Sequence, residues 1–440
     1  MDRDLLQTLR AWKNSTTRMP LLIRGARQVG KTYLIHAFAK QYFEHTLSIN
    51  FEREEKFKLA FESMIPINIV QRLYLQSGQQ LIPGKSLLFL DEIQECPQAL
   101  KALRYFKEEL PELHVIAAGS LLEFTLNNED MRMPVGRIES LFLKPLSFLE
   151  YLSAINLAHL RDFLHQVTVK EGVPEDVHHI LLEHLRRYFM LGGLPAIIEE
   201  YIISQNLERV QSKQLSLIQS YRDDFGKYAN KTKHRYMQQI LKEAPGLVGE
   251  KFMYSRIDPN LRSREIKEAL GYLLQANLLH KVCHTNASGL PLSVQASDKN
   301  FKVLFFDIGL MNAMSQLSPE IFLQQDLLLL NRGIQAEQFA GQELLAYQKP
   351  YIQSELYYWD RQKPNSSAEV DYVINVNDRI IPIEIKAGKT GSLRSLQLFL
   401  NEKKYSLGVR LSQRQLEKHQ RILSIPLYMI SEIARLVASS

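Results

Sequence analysis

The stretch Gly25-Ala26-Arg27-Gln28-Val29-Gly30-Lys31-Thr32 constrains this chain more than any other. It is a full G-x-x-x-x-G-K-T, entered by an apolar run, Leu21-Leu22-Ile23, and left by a helical apolar pattern at Leu34, Phe38 and Phe43. The glycines let the backbone curl until successive N–H groups converge, a nest that fits phosphate oxygens at a helix start. Lys31 places positive charge against β- and γ-phosphates, and the Thr32 hydroxyl offers a hard ligand to Mg²⁺. The spacing predicts a strand, a phosphate-binding loop and a helix, with a nucleotide, ATP, as ligand.

Such a loop needs an acid at the end of a neighbouring buried strand. Leu87-Leu88-Phe89-Leu90 runs into Asp91-Glu92, which supplies it. Asp91 is placed to hold Mg²⁺ through water and Glu92 to activate the attacking water, which turns nucleotide binding into hydrolysis. A further strand, His114 to Ala118, ends in Gly119-Ser120. Ser120 is read either as a γ-phosphate sensor or as a helix N-cap. Pro134-Val135-Gly136-Arg137 precedes the strand Ile138 to Leu143, and Arg137 is either an arginine finger, in cis or from a neighbour, or a plain surface arginine.

At 440 residues the chain exceeds one ordinary core, and about 150 residues per domain implies roughly two to four domains. No apolar run of about 18 residues is present, so no membrane span is expected. The N-terminus has charges where a signal peptide would need its apolar segment. Two distant cysteines, Cys96 and Cys283, fit neither a zinc site nor a disulfide framework, and suit a reducing cytoplasm. A net charge of +6 permits nucleic acid, DNA first, as a partner without demanding it.

Near the C-terminus, RIIPIEIKAGKT (Arg379 to Thr390) also ends in Gly-Lys-Thr. A second phosphate loop would need glycine at 383, where Ile383 stands, and Glu384 would repel phosphate. A different chemistry fits better. The strand Ala368 to Ile374 turns at Asn377-Asp378 into Ile380 to Lys386, and period two puts Glu384 and Lys386 on one face. Asp371 then comes alongside Glu384, and the helix Gln335 to Leu345 can bring Glu337 to the same place. These carboxylates suit Mg²⁺ or Mn²⁺, with Lys386 orienting water or stabilising phosphate charge. A set of structural ion pairs is the plainer alternative.

The marks GARQVGKT, LLFLDEIQ, the Gly119-Ser120 strand end, VGRIESLFLKPLSF and Leu191-Gly192-Gly193-Leu194-Pro195 resemble prokaryotic AAA-type ATPases fused to a C-terminal domain of unassigned function. Helix Glu, strand Asp and Glu-x-Lys resemble the PD-(D/E)xK restriction-endonuclease-like superfamily, in which Gln397 would be an accessory residue. The resemblance implies an ATPase domain over 1–150 whose parallel sheet has an extra strand between the two nucleotide-binding strands. It further implies a helical lid over 151–235, a winged helix over 236–315 and an endonuclease-like α/β domain over 316–440. Helical spacing from 146 to 244 agrees, as do three short helical segments before the strands at Lys281-Val282 and Lys302 to Phe306. Arg262, Arg264 and Lys267 would then open a groove-reading helix, diluted by Glu265 and Glu268; Lys227, Lys231, Lys233, His234 and Arg235 form a second basic cluster. Assembly of identical chains stays open.

Overall fold

The computed structural model describes residues 1–120, 122, 136–228, 231–260, 262–317, 333–363, 366–386 and 392–440. The Gly388-Lys389-Thr390 tail, Pro134-Val135 and the Lys227 side chain lie outside what is described.

Among the described residues of the N-terminal third, the elements are helix α1 (Leu5–Asn14), β1 (Leu21–Arg24), α2 (Lys31–Tyr42), β2 (His45–Asn50), α3 (Pro66–Ser77), β3 (Ser86–Asp91), α4 (Pro97–Glu109), β4 (His114–Ala118) and β5 (Glu139–Phe142). The strands are parallel, in the order β2-β3-β4-β1-β5. β3 and β4 are buried along their whole length. That is why they read as continuous apolar runs: helices cover both faces of a parallel sheet. Leu21 and Ile23 pack into one core and Leu22 into the other. β4 lies between β1 and β3, so the loop after β1 and the acids after β3 open at the same edge, across one intervening strand.

A helical layer follows: α5 (Phe148–Ala154), α6 (Ala158–Leu164), α7 (Glu175–Leu191), α8 (Pro195–Ser204), α9 (Leu207–Tyr228) and α10 (Lys231–Glu243). Then come α11 (Tyr254–Ile257), α12 (Ser263–Gln275), the antiparallel pair β6 (Leu279–Thr285) and β7 (Ala296–Phe305), and α13 (Ile308–Met314). The C-terminal part holds α14 (Ile334–Ala346), β8 (Leu356–Asp360), β9 (Glu369–Val376), β10 (Arg379–Lys386), α15 (Arg394–Lys403), β11 (Gly408–Ser412), β12 (Glu417–His419), β13 (Ile422–Pro426) and α16 (Ile433–Ala438).

The three helical segments and the hairpin expected over 236–315 are present, but the hairpin is not a free wing. β6 pairs in parallel with β8, at Val282 opposite Leu356, so one eight-stranded sheet runs β12-β13-β11-β10-β9-β8-β6-β7. The expected boundary near 315 therefore falls between segments that share a sheet. One apolar core also continues from α1 and Val29 through the helical layer into β10, β11 and β13. Among the described residues, no helix is long and apolar enough to cross a membrane.

Candidate functional sites

The loop from Gly25 to Thr32 is built on backbone conformations that side chains disfavour. Gly25 sits at φ +143°, where an added Cβ would stand 2.2 Å from the Leu143 carbonyl oxygen, so only glycine fits. Gly30, at φ +93°, starts α2, and its open face is covered by Pro195. Lys31 is buried, and its ammonium donates to the carbonyls of Gly25 (3.0 Å) and Ala26 (2.7 Å). Burial pulls its pKa down to about 8, against the attraction of Glu92 and Asp91.

Thr32 Oγ1 donates to Asp91 Oδ2 at 2.9 Å, and Asn50 Nδ2 reaches the same oxygen at 3.3 Å. Burial pushes the Asp91 carboxyl above its usual range, partly offset by the Thr32 hydroxyl. Glu92 adopts a left-handed conformation at φ +49°. Gln94 Nε2 holds its Oε2 at 2.6 Å, and Ser120 Oγ lies 3.5 Å from the same atom. Ser120 thus contacts the acid as a buried strand-end residue. A hydroxyl and a carboxylate side by side are the hard oxygen donors Mg²⁺ requires, so these residues fit the ion.

Arg27 pairs with Asp224 of α9, while Tyr221 OH donates to the Arg27 carbonyl at 2.8 Å. Arg137 is a correction for a finger acting in cis. β5 begins with Glu139 opposite Leu21, whereas the phosphate loop follows Arg24, so Arg137 lies at the far end of the sheet. There it pairs with Glu108 at 3.0 Å, exposed.

Sequence reasoning missed Arg3, which is buried and donates to the Val29 carbonyl (2.9 Å), the Lys144 carbonyl (2.6 Å) and Glu150 Oε1 (2.9 Å). It missed Asp307 as well, whose Oδ2 accepts from Gly193 N at 2.7 Å. Asp307 thereby fixes the Gly192-Gly193 turn just before Pro195; burial raises its pKa to about 6. No motif marks either residue.

The second site lies where β9 and β10 meet. Asp371 Oδ2 accepts from Ile385 N at 2.7 Å, and Lys386 Nζ contacts Glu384 Oε1 at 2.5 Å. Glu384 is 5% exposed, and its Oε2 is buried with no hydrogen-bond partner among the described residues. Burial, then the charges of Glu337 and Glu384, hold the Asp371 carboxyl well above the usual range; burial also raises Glu384. Glu337 and Glu384 thus lie near enough for their charges to act on Asp371, and Lys386 pairs with Glu384. Glu337, however, is engaged by the buried Lys302 of β7 (2.9 Å), which also bonds Glu369 (2.6 Å). No cluster of three or more His, Cys, Asp or Glu side chains among the described residues is arranged to hold a metal. Glu337 as a metal ligand is corrected on that ground: its partner is an ammonium group. Gln397 is exposed on α15. The run Phe301-Lys302-Val303-Leu304-Phe305 held a signal for Lys302, a lysine inside an apolar strand; Glu369 shares the Asp371 face by period two.

Residues 17–152 match a family model described as an AAA domain. Those residues are an AAA-type P-loop ATPase domain. Beyond this ATPase domain, residues 182–321 match a domain of unknown function (DUF8612) and residues 332–430 another (DUF4143). No curated protein matches the chain. Similar solved structures include a Walker-type ATPase of Pyrococcus abyssi, 18% identical over 71% of this chain and 95% of that one, with a TM-score of 0.47. The Aeropyrum pernix ORC1 protein in complex with DNA is 14% identical over 71% and 90%, with a TM-score of 0.28. A Thermotoga maritima RuvB variant is 18% identical over 62% and 86%, with a TM-score of 0.29.

Proposed function

We propose that the chain hydrolyses ATP at the P-loop and that this governs how its C-terminal carboxylate site meets nucleic acid. The observation that carries the ATPase reading is the joined set Lys31, Thr32, Asp91 and Glu92. The loop's lysine and hydroxyl stand beside one acid, and a second acid is held by Gln94. In this role the backbone N–H groups of the loop and Lys31 bind the phosphates, and Glu92 orients water and takes its proton. Thr32 and Asp91 would hold Mg²⁺, which neutralises charge on the phosphates. Ser120 lies beside Glu92 and is positioned to report on the γ-phosphate through it. Arg137 is available only to a neighbouring copy, which makes a homo-oligomer the setting for any finger role.

The nuclease reading is supported by the order α14, β8, β9, β10, α15, β11, a helix, an antiparallel meander, a helix and a parallel strand. Asp371, Glu384 and Lys386 sit at its centre, resembling a restriction-endonuclease-like core. Asp371 and Glu384 would hold Mg²⁺ or Mn²⁺, and Lys386 would orient water. DNA as the nucleic acid rests on the net positive charge and on exposed Arg262, Arg264 and Lys267 at the start of α12, in a winged-helix role. Glu268 pairs with Arg264 (3.7 Å) and Lys233 (3.1 Å), which favours a competing reading: a regulatory ATPase whose C-terminal part only binds protein or DNA.

Purified protein incubated with supercoiled, linear and single-stranded DNA, with and without ATP and Mn²⁺, separates the two. Metal-dependent cleavage lost in Asp371→Ala is expected for the nuclease. Intact DNA, bound equally by that variant, leaves the regulatory ATPase.

A further inference from the structure

Lys302 reaches the C-terminal site from outside the segment that carries its other members. It stands on β7, within residues 182–321, while Glu337, Glu369, Asp371 and Glu384 all lie within residues 332–430. Its backbone is pinned on two sides, opposite Val282 of β6 and by a bridge to Lys251. Its side chain is 1% exposed, with the ammonium 2.9 Å from Glu337 Oε1, 2.6 Å from Glu369 Oε1 and 5.2 Å from the centre of the Tyr358 ring. A lysine so deeply desolvated persists only if its charge is met in full, and here two carboxylates meet it. The other Glu337 oxygen lies against the Gly249 backbone: a Cβ on Gly249, at φ +82°, would stand 2.7 Å from Glu337 Oε2. Glu337 is thus committed to a cation the chain already carries.

The other half of the cluster is met only in part, by Lys386. Lys386 takes Glu384 Oε1, Ile385 N takes Asp371 Oδ2, and Glu384 Oε2 is buried with no partner among the described residues. Four carboxylates face two ammonium groups, so a divalent cation that displaces the protons of Asp371 and Glu384 offsets the two negative charges left over.

We propose that Lys302 is a built-in cation of this site: it occupies Glu337 and Glu369 and so restricts the site to one divalent ion, held by Asp371 and Glu384. This rests on the metal-site reading above and deepens it. A fixed ammonium group substitutes for the second metal of a two-metal centre, and the segment bearing β7 becomes part of the site.

Mn²⁺ binding to the full-length, nucleotide-free protein, counted from the loss of the free-ion electron paramagnetic resonance signal, tests it. The expected count for this site is one per chain, defined as the difference between wild type and Glu384→Gln. Lys302→Met is expected to bind one ion more than wild type, and Lys302→Arg the same number as wild type. A folded Lys302→Met with an unchanged count overturns the role of Lys302 and leaves the metal site standing. A wild-type count of two does the same, and it decides even where Lys302→Met does not fold. Equal counts in wild type and Glu384→Gln overturn the metal reading and this inference together.

Discussion

Arg3 shows how much depends on single side chains far from any motif. Its guanidinium joins the back of the phosphate loop, at Val29, to Glu150 and to the Lys144 carbonyl, all buried or nearly so. Removing one partner of a buried ion pair strands the other charge, at a cost of about 3–5 kcal/mol. Arg3→Ala should lower unfolding free energy by that order, read from urea denaturation, and weaken nucleotide binding because Val29 loses its brace. A loss below about 1 kcal/mol, the scale of an exposed pair, would mean that Glu150 finds solvent instead. At this scale the sequence was legible wherever backbone geometry forces residue type. Gly25, Gly30, Lys31 and Thr32 are such positions, because no other residues curl the loop and end it with charge and hydroxyl. Arg3 and Asp307 were not legible, because their partners arrive from distant segments and no local spacing encodes them; Lys302 left a trace as a lysine inside an apolar strand, but its partners left none.

Among the elements, α14 has the widest reach. Near its start Glu337 meets Lys302, and in its middle Gln338 bonds both the N–H and the carbonyl of Phe305. Near its end Glu343 accepts from Phe148 N through both oxygens, at 3.0 and 3.1 Å, at the beginning of α5 beside the ATPase domain. Burial raises the Glu343 carboxyl to about 8 from 4.5, so the folded state holds this proton more tightly than the unfolded state. Stability is then greatest below about pH 4.5 and falls as pH rises toward 8, by a few kcal/mol in total. Glu343→Gln, which carries no charge at any pH, should melt close to wild type at about pH 4 and increasingly above it as the pH rises toward 8. Parallel melting curves for the two proteins across that range would show that the Glu343 carboxyl titrates alike in the folded and unfolded states. Helix and strand positions were largely readable from periodicity, as in β3, β4, β9 and β10. The buried polar face of α14 was not, since glutamines and glutamates at helical spacing read as solvated until α13 and β7 cover them.

The chain as a whole reads as modules in sequence and as one connected body in structure. The Gly192-Gly193 turn is fixed by Asp307 and leads into Pro195, which covers Gly30, and β6 and β7 complete the sheet that carries Asp371 and Glu384. Sequence order alone could not show that a hairpin before residue 315 joins strands after residue 350, because parallel pairing leaves no local turn signal. This connectivity predicts that ATP with Mg²⁺ stabilises the whole chain. At a hundredfold excess over Kd the gain is about 2.7 kcal/mol, seen as a single shifted melting transition. A shift confined to one of two separate transitions would speak for independent modules. Hydrolysis at the P-loop is measured by steady-state phosphate release. Wild type should turn over ATP only with Mg²⁺, Lys31→Ala should not, and Glu92→Gln should bind ATP yet release no phosphate. Turnover unchanged in Lys31→Ala would contradict the account.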